Sequence, residues 1–140
     1  MELIVLKGKE NTGKTTIINW ICNHLRGKGY IESSPETFRD LGNGDFLTVL
    51  QKGEGKIGII SQGDESDKIP NYLKEIEQKA CSNNIKVICA LRKTIENKVD
   101  LSDGGKNTIL KEIEIEKTSP SFEKIKSKIN QKVEEIKDDL

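Results

Sequence analysis

The sequence lacks several features that define whole classes of protein. Its 140 residues include three cysteines at wide spacing, with no CxxC pair and no Cys/His cluster. An odd, scattered set excludes a disulfide framework, and the missing cluster excludes a structural zinc site. Cys22 and Cys89 lie among apolar neighbours, and we predict that both are buried thiols of a reduced, cytoplasmic protein.

The chain also has no excess of charge of either sign, because 23 basic side chains balance 23 acidic ones. Binding to nucleic acid in general, or to an anionic membrane, requires a basic surplus or a basic face. No apolar run approaches the roughly 20 residues of a membrane span. Residues 1–7 also lack the basic start and long apolar run of a signal peptide. We therefore expect no membrane and no generic nucleic-acid partner.

Length and apolar content set the size of the domain. A chain of 140 residues favours one domain, here residues 1–140. Hydrophobic residues make up 34% of the chain, which is lean but sufficient for a modest core.

Apolar patterning predicts an alternation of strands and helices, which is typical of an α/β domain. Short apolar runs predict strands, and apolar residues at a spacing of three to four predict helices. Residues 30–45 are polar and irregular, and we expect a loop there. The predicted elements are a strand at 2–7, a helix around 17–25, a hairpin of 46–52 with 57–61, a helix at 69–80, strands at 85–91 and 108–117, and a last helix from Ser119.

One motif carries chemistry. Residues 8–15 read Gly-Lys-Glu-Asn-Thr-Gly-Lys-Thr, which matches G-x-x-x-x-G-K-[ST]. The motif follows a buried strand and opens a helix, as phosphate binding requires. Its glycines let successive backbone N–H groups point at phosphate oxygens, and the helix N-terminus adds its positive dipole end.

On this motif the sequence resembles the P-loop NTPase superfamily, as a small kinase-like or GTPase-like member. The resemblance implies a three-layer α/β sandwich with a mostly parallel sheet of about five strands and an antiparallel hairpin. It also implies binding of a nucleoside triphosphate, ATP or GTP, with Mg²⁺. The residues expected to bind the nucleotide are Gly8, Lys9, Glu10, Asn11, Thr12, Gly13, Lys14, Thr15, Thr16 and Arg92.

The resemblance assigns individual roles within this set. Lys14 reaches the β- and γ-phosphates, and the Thr15 hydroxyl is a ligand of Mg²⁺. The family also has a metal-holding acid at the end of a neighbouring apolar strand. Asp64 is the best candidate for this acid. Three small or polar residues separate it from the apolar run, and this spacing is also typical of a solvated acid in a loop. Lys14 and Asp64 are thus the candidate catalytic residues, and Thr15 and Asp64 the candidate metal ligands.

Two branches of the superfamily stay open. A GTPase would use a switch threonine, for which Thr37 is a candidate, but the D-x-x-G motif is missing. Residues 97–100 spell N-K-x-D, although they lie past the end of the predicted strand rather than directly after it. A kinase would need an acceptor site, where Arg39 could serve.

The functional prediction is Mg²⁺-dependent hydrolysis or phosphoryl transfer, with ATP preferred and a possible small-molecule acceptor. The alternative is a non-catalytic nucleotide-binding switch module, possibly GTPase-like, that acts through a protein partner.

Overall fold

A computed structural model describes residues 1–8, 14–61, 68–82, 84–92, 101 and 105–115. Within them lie seven strands, two α-helices and one short 3-10 helix at Pro35–Thr37. The strands are β1 (Glu2–Gly8), β2 (Ile31–Glu32), β3 (Phe38–Gly42), β4 (Asp45–Lys52), β5 (Gly55–Ile60), β6 (Lys86–Arg92) and β7 (Thr108–Ile115). The helices are α1 (Lys14–Gly27) and α2 (Ile69–Ala80).

All seven strands form one mixed sheet. Its order is β2-β4-β5-β6-β1-β7, with β3 also paired to β4. The pairs β5–β6, β6–β1 and β1–β7 are parallel, whereas β2–β4, β3–β4 and β4–β5 are antiparallel. The α/β class is therefore confirmed. The expectation of about five mostly parallel strands is wrong, because the sheet has seven strands and mixed pairing.

The additional strands come from residues 30–45, where we expected a loop. β3 and β4 form a hairpin through Asn43 and Gly44, whose φ angles are 55° and 83°. Asn-Gly is the favoured pair for a two-residue turn with positive φ, so the sequence did carry a hairpin signal. It was missed because β3 is exposed or half-buried along its whole length and has no apolar alternation.

The core lies on both faces of the sheet, with one described helix on each. On β1, Ile4 and Leu6 belong to the same apolar cluster as the buried face of α1, and we call this side the α1 face. Leu3 and Val5 alternate to the other side and join the cluster that contains the buried residues of α2, which we call the α2 face. β1 is thus buried on both faces, which explains its continuous apolar run.

The remaining predicted elements agree with the structure where it describes them. Both helices, the β4–β5 hairpin and the strand at β6 are present. β7 alternates as expected, since Ile113 is buried while Glu112 and Glu114 are exposed. The predicted last helix, from Ser119 onwards, lies outside the described residues.

The predicted burial of Cys22 and Cys89 is confirmed, and both are free thiols in the structure. Burial raises the pKa of the Cys22 thiol to about 11 and that of the Cys89 thiol to about 12. Among the described residues, no helix is long and apolar enough to cross a membrane.

Candidate functional site

The junction between β1 and α1 has the order that the motif requires. β1 ends at Gly8 and α1 begins at Lys14, so the motif's first glycine ends the strand and its lysine opens the helix. Residues 9–13 connect them and lie outside the described residues, so the predicted roles of Lys9, Glu10, Asn11, Thr12 and Gly13 remain predictions.

Lys14 is buried at this junction. Its side chain is folded back across the connection, and Nζ donates a hydrogen bond of 2.8 Å to the Gly8 carbonyl oxygen. The residue is only 6% exposed. Burying an ammonium group is costly unless the charge finds partners, so this position needs polar or anionic groups around it. A phosphate oxygen is one such group, and its hydrogen bond to an ammonium is charge-assisted.

The first turn of α1 is suited to an anion. Thr15 is half-buried and Thr16 is exposed, and both sit where helix N–H groups have no intrahelical acceptor. That turn has no acidic side chain to occupy the positive end of the helix dipole. Thr15 and Thr16 therefore lie beside Lys14 in the first turn.

Sheet topology marks the same place independently. From β1 the chain leaves through α1, on the α1 face, toward the side of the sheet that holds β4 and β5. From β6 it leaves in the opposite direction, across β1 to β7, and Leu101 of that connection packs on the α2 face. Adjacent strands whose connections diverge in this way form a topological switch point, where open α/β sheets bind ligands at the carboxyl ends.

The strand beside β1 at the switch point ends in a basic residue. β6 runs parallel to β1, and Gly8 is paired in register with Arg92. This places the Arg92 backbone about 4.8 Å from the first residue of the motif. The structure thus brings Gly8, Lys14, Thr15 and Arg92 together at one edge of the sheet.

The strand that precedes the expected acid is not the direct neighbour of β1. Asp64 follows β5, and β6 separates β5 from β1. Ser61, the last described residue before Asp64, therefore lies two strand spacings from β1, or about 10 Å. Three residues of extended chain span at most about 10 Å, which is just enough to bridge that separation. Asp64 itself lies outside the described residues.

A second polar group, Ser61 with Asp45, lies at the carboxyl end of β5, and the sequence analysis did not identify it. Ser61 is buried, and its hydroxyl donates to Asp45 Oδ1 at 3.2 Å and accepts from the Phe46 N–H at 2.8 Å. The Ser61 hydroxyl thus faces β4. Asp45 could have been found from the Asn43-Gly44 turn, which sets it opposite the end of β5.

Two further candidates from the sequence have structural partners away from the switch point. Thr37, the possible switch threonine, is buried, and its hydroxyl donates to the Ser34 carbonyl oxygen at 2.8 Å. Arg39, the possible acceptor-site arginine, pairs with Glu75 of α2. The N-K-x-D residues, 97–100, lie outside the described residues.

In the part of the chain that the structure describes, no three His, Cys, Asp or Glu side chains form a group able to hold a metal ion. Comparison with known proteins gives no match from a family model, a curated protein or a solved structure.

Proposed function

We propose that this protein binds a nucleoside triphosphate at the carboxyl ends of β1 and β6, with Lys14 as the central phosphate-binding group. The observation that carries the proposal is the buried Lys14 ammonium, held 2.8 Å from the Gly8 carbonyl oxygen at a strand-to-helix junction of P-loop sequence. The topological switch point supports it, since it marks the same edge without reference to the motif.

The balanced net charge is compatible with an anionic ligand. A triphosphate needs a local arrangement of backbone N–H groups, a helix N-terminus and one or two cations, not an excess of positive charge over the whole chain. We propose ATP as the preferred ligand. The residues that end β6, Ala90, Leu91 and Arg92, include no asparagine or acid to accept from the guanine amino group.

Mg²⁺ is part of the proposal, with Thr15 and Asp64 as its protein ligands. Of these two, the structure describes Thr15, which stands in the first turn of α1 next to Lys14. A hydroxyl and a carboxylate are oxygen ligands of the kind that Mg²⁺ prefers, and the metal would neutralise charge on the phosphate oxygens. Hydrolysis or phosphoryl transfer is the proposed reaction, and Lys14 would hold the transferred phosphate in position.

The first test is Lys14→Met, which keeps an apolar stem in the buried position and removes the charge. We expect ATP affinity, measured by titration calorimetry with Mg²⁺, to fall at least 100-fold, or about 2.7 kcal/mol. Lys28→Met removes one charge from an exposed position just beyond α1 and should bind as the parent does. Unchanged ATP affinity in folded Lys14→Met protein would overturn the proposal.

The arginine at the end of β6 favours a second candidate function, a non-catalytic nucleotide-binding module. A strand beside β1 that ends in Arg92 offers no carboxylate for the metal at that position. Phosphate release and phosphoryl transfer by the parent and by Asp64→Asn separate the two functions. Turnover that requires both Mg²⁺ and Asp64 rejects the module, whereas tight binding without turnover supports it.

A further inference from the structure

The segment between α1 and β4 runs along the edge of the sheet and contacts a helix on each face. We call residues 31–42, which comprise β2, the 3-10 helix and β3, the strap. β2 and β3 both pair with β4, and among the described strands none pairs with them on the side away from β4. The strap is therefore attached to the sheet along one side only.

Charged and polar contacts fasten the strap on the α1 face. Arg26, near the carboxyl end of α1, donates a 2.6 Å hydrogen bond to Glu32 of β2. The same Glu32 oxygen accepts a hydrogen bond from the Thr48 hydroxyl of β4 at 3.3 Å. Glu32 is paired in register with Leu50, which belongs to the apolar cluster of the α1 face. The link from β2 to α1 therefore lies on that face of the sheet.

Two further contacts fasten the strap on the α2 face. Arg39 of β3 forms an ion pair with Glu75 of α2. Lys79, about one turn farther along α2, lies 3.8 Å from the same carboxylate and donates a 2.5 Å hydrogen bond to the Glu36 carbonyl oxygen. The strap thus joins α1 to α2 around the edge of β4, through charged groups on both faces.

Apolar burial contributes little to holding the strap. Thr37 is its one buried residue, and the Thr37 hydroxyl donates to the Ser34 carbonyl oxygen within the strap itself. Phe38 is 44% exposed, although its ring stacks on Phe46 of β4, and Leu41 is half-buried. Partly exposed charge pairs weaken as the salt concentration rises, because counterions screen them. The strap should therefore be more sensitive to salt than the core strands.

We infer that the strap is a salt-sensitive latch, which opens from β4 as one unit when its ionic contacts with α1 and α2 are screened, while the rest of the sheet stays folded. Segments with few buried apolar contacts are those that open locally in native proteins. Residues 33–37 connect β2 to β3, and this short connection couples their movement. Opening uncovers the edge of β4 and removes the link between the two helices.

The test is amide hydrogen exchange of the full chain, followed by NMR at about 0.1 M and about 1 M NaCl, between which the screening length falls from about 10 Å to about 3 Å. We expect the amides of β2 and β3 that are protected at low salt to exchange about threefold faster, or more, at high salt. The amides of β6, at the centre of the sheet, should exchange at the same rate in both conditions.

A pair of variants tests the ionic contacts directly. Glu75→Gln removes the carboxylate that Arg39 and Lys79 share on the α2 face. Glu112→Gln is the matched control, because it removes an ion pair with Lys7 in the parallel part of the sheet. At low salt, Glu75→Gln should speed exchange of both β2 and β3 by about threefold or more and reduce their response to salt. Glu112→Gln should leave the exchange of both strands unchanged.

The alternative outcomes each overturn the inference. Equal exchange rates of the strap at both salt concentrations would show that its ionic contacts do not hold it closed. Faster exchange of β3 alone in Glu75→Gln would show that the two strands open separately. Equal acceleration of the β6 amides would show that the whole sheet opens, and amides of β3 without protection at low salt would show that the latch is never closed. No nucleotide is added, so these results are independent of the proposed function.

Discussion

The parallel half of the sheet and the two outer strands are held in place by different forces. We define the parallel half as β5, β6, β1 and β7, and the outer strands as β2 and β3. β1 has five buried residues out of seven, whereas β3 has none. Apolar burial on both faces therefore stabilises β1 and β6 at the centre of the parallel half, and these two strands position the candidate site.

The outer strands are held by a turn and by ion pairs. β2 is tied to α1 through Glu32 and Arg26, at 2.6 Å. β3 is linked to α2 by the ion pair of Arg39 with Glu75. In addition, the Lys79 ammonium of α2 donates a hydrogen bond of 2.5 Å to the carbonyl oxygen of Glu36, just before β3. Exposed pairs of this kind contribute about 0–1 kcal/mol each, so the outer strands should be the less stable part of the sheet.

The largest expected difference between the two regions is the cost of removing an isoleucine. Ile88→Ala, at a fully buried position on β6, should lower the free energy of unfolding by about 2–5 kcal/mol, because it leaves a cavity. Ile31→Ala, on β2, removes a side chain that is 63% exposed and should change stability by at most about 0.5 kcal/mol. Urea unfolding measures both, and equal losses would contradict the comparison.

A smaller effect is expected where α2 packs closely on β5. A Cβ on Gly58 would lie 2.6 Å from Ile76 Cγ2, so Gly58→Ala should cost about 1–3 kcal/mol through overpacking. Gly27→Ala is the matched control, since nothing lies within 4 Å of its added Cβ, and it should be neutral or slightly stabilising. When Ile76 is already replaced by Ala, Gly58→Ala should lower the free energy of unfolding by less. If the loss is undiminished, the contact between the added Cβ and Ile76 is not its cause.

The smallest expected effect is the pH dependence of the stability contributed by the ion pair of Glu32 on β2 with Arg26 on α1. Burial raises the pKa of Glu32, but the hydrogen bond and charge of Arg26, with the Thr48 hydroxyl, outweigh burial and lower the pKa below its ordinary value. The pair therefore stabilises the fold above the ordinary glutamate pKa, about 4.3, and this contribution is lost as the pH falls through the lowered value.

Glu32→Gln removes the ionisable group and should flatten that part of the stability curve. The difference between parent and variant should be below about 1 kcal/mol at pH 7, because Arg26 is 44% exposed. In urea unfolding followed across pH, it should diminish as the pH falls below the ordinary glutamate pKa and vanish once Glu32 is protonated in the folded protein. A difference that grows as the pH falls would contradict the assignment.

The same contrast explains how much of the fold was predictable. The buried strands β1 and β6 are short apolar runs, and α1 and α2 have clear apolar periodicity, so residue pattern alone located them. β3 carries Arg39 and Asp40 on exposed positions and has no pattern to read. Its pairing depends on a turn at Asn43 and Gly44 and on contacts with a helix distant in sequence.

The candidate site divides in a similar way. Gly8, Lys14 and Thr15 were identified because phosphate binding requires particular residues at a fixed local spacing, and the structure places all three at the strand-to-helix junction. The expected acid on a neighbouring strand depended on sheet order, which spacing does not reveal. The structure puts β6 and Arg92 in the position that Asp64 was expected to approach.

The sequence by itself determined the α/β class, the two described helices and the G-x-x-x-x-G-K-T pattern at residues 8–15, because these follow from local periodicity and spacing. Only the tertiary structure decided that β6 lies between β1 and β5 and that the Arg92 backbone stands level with Gly8. Strand order and register are set by packing between segments far apart in the chain, which leaves no local signature for sequence reasoning to use.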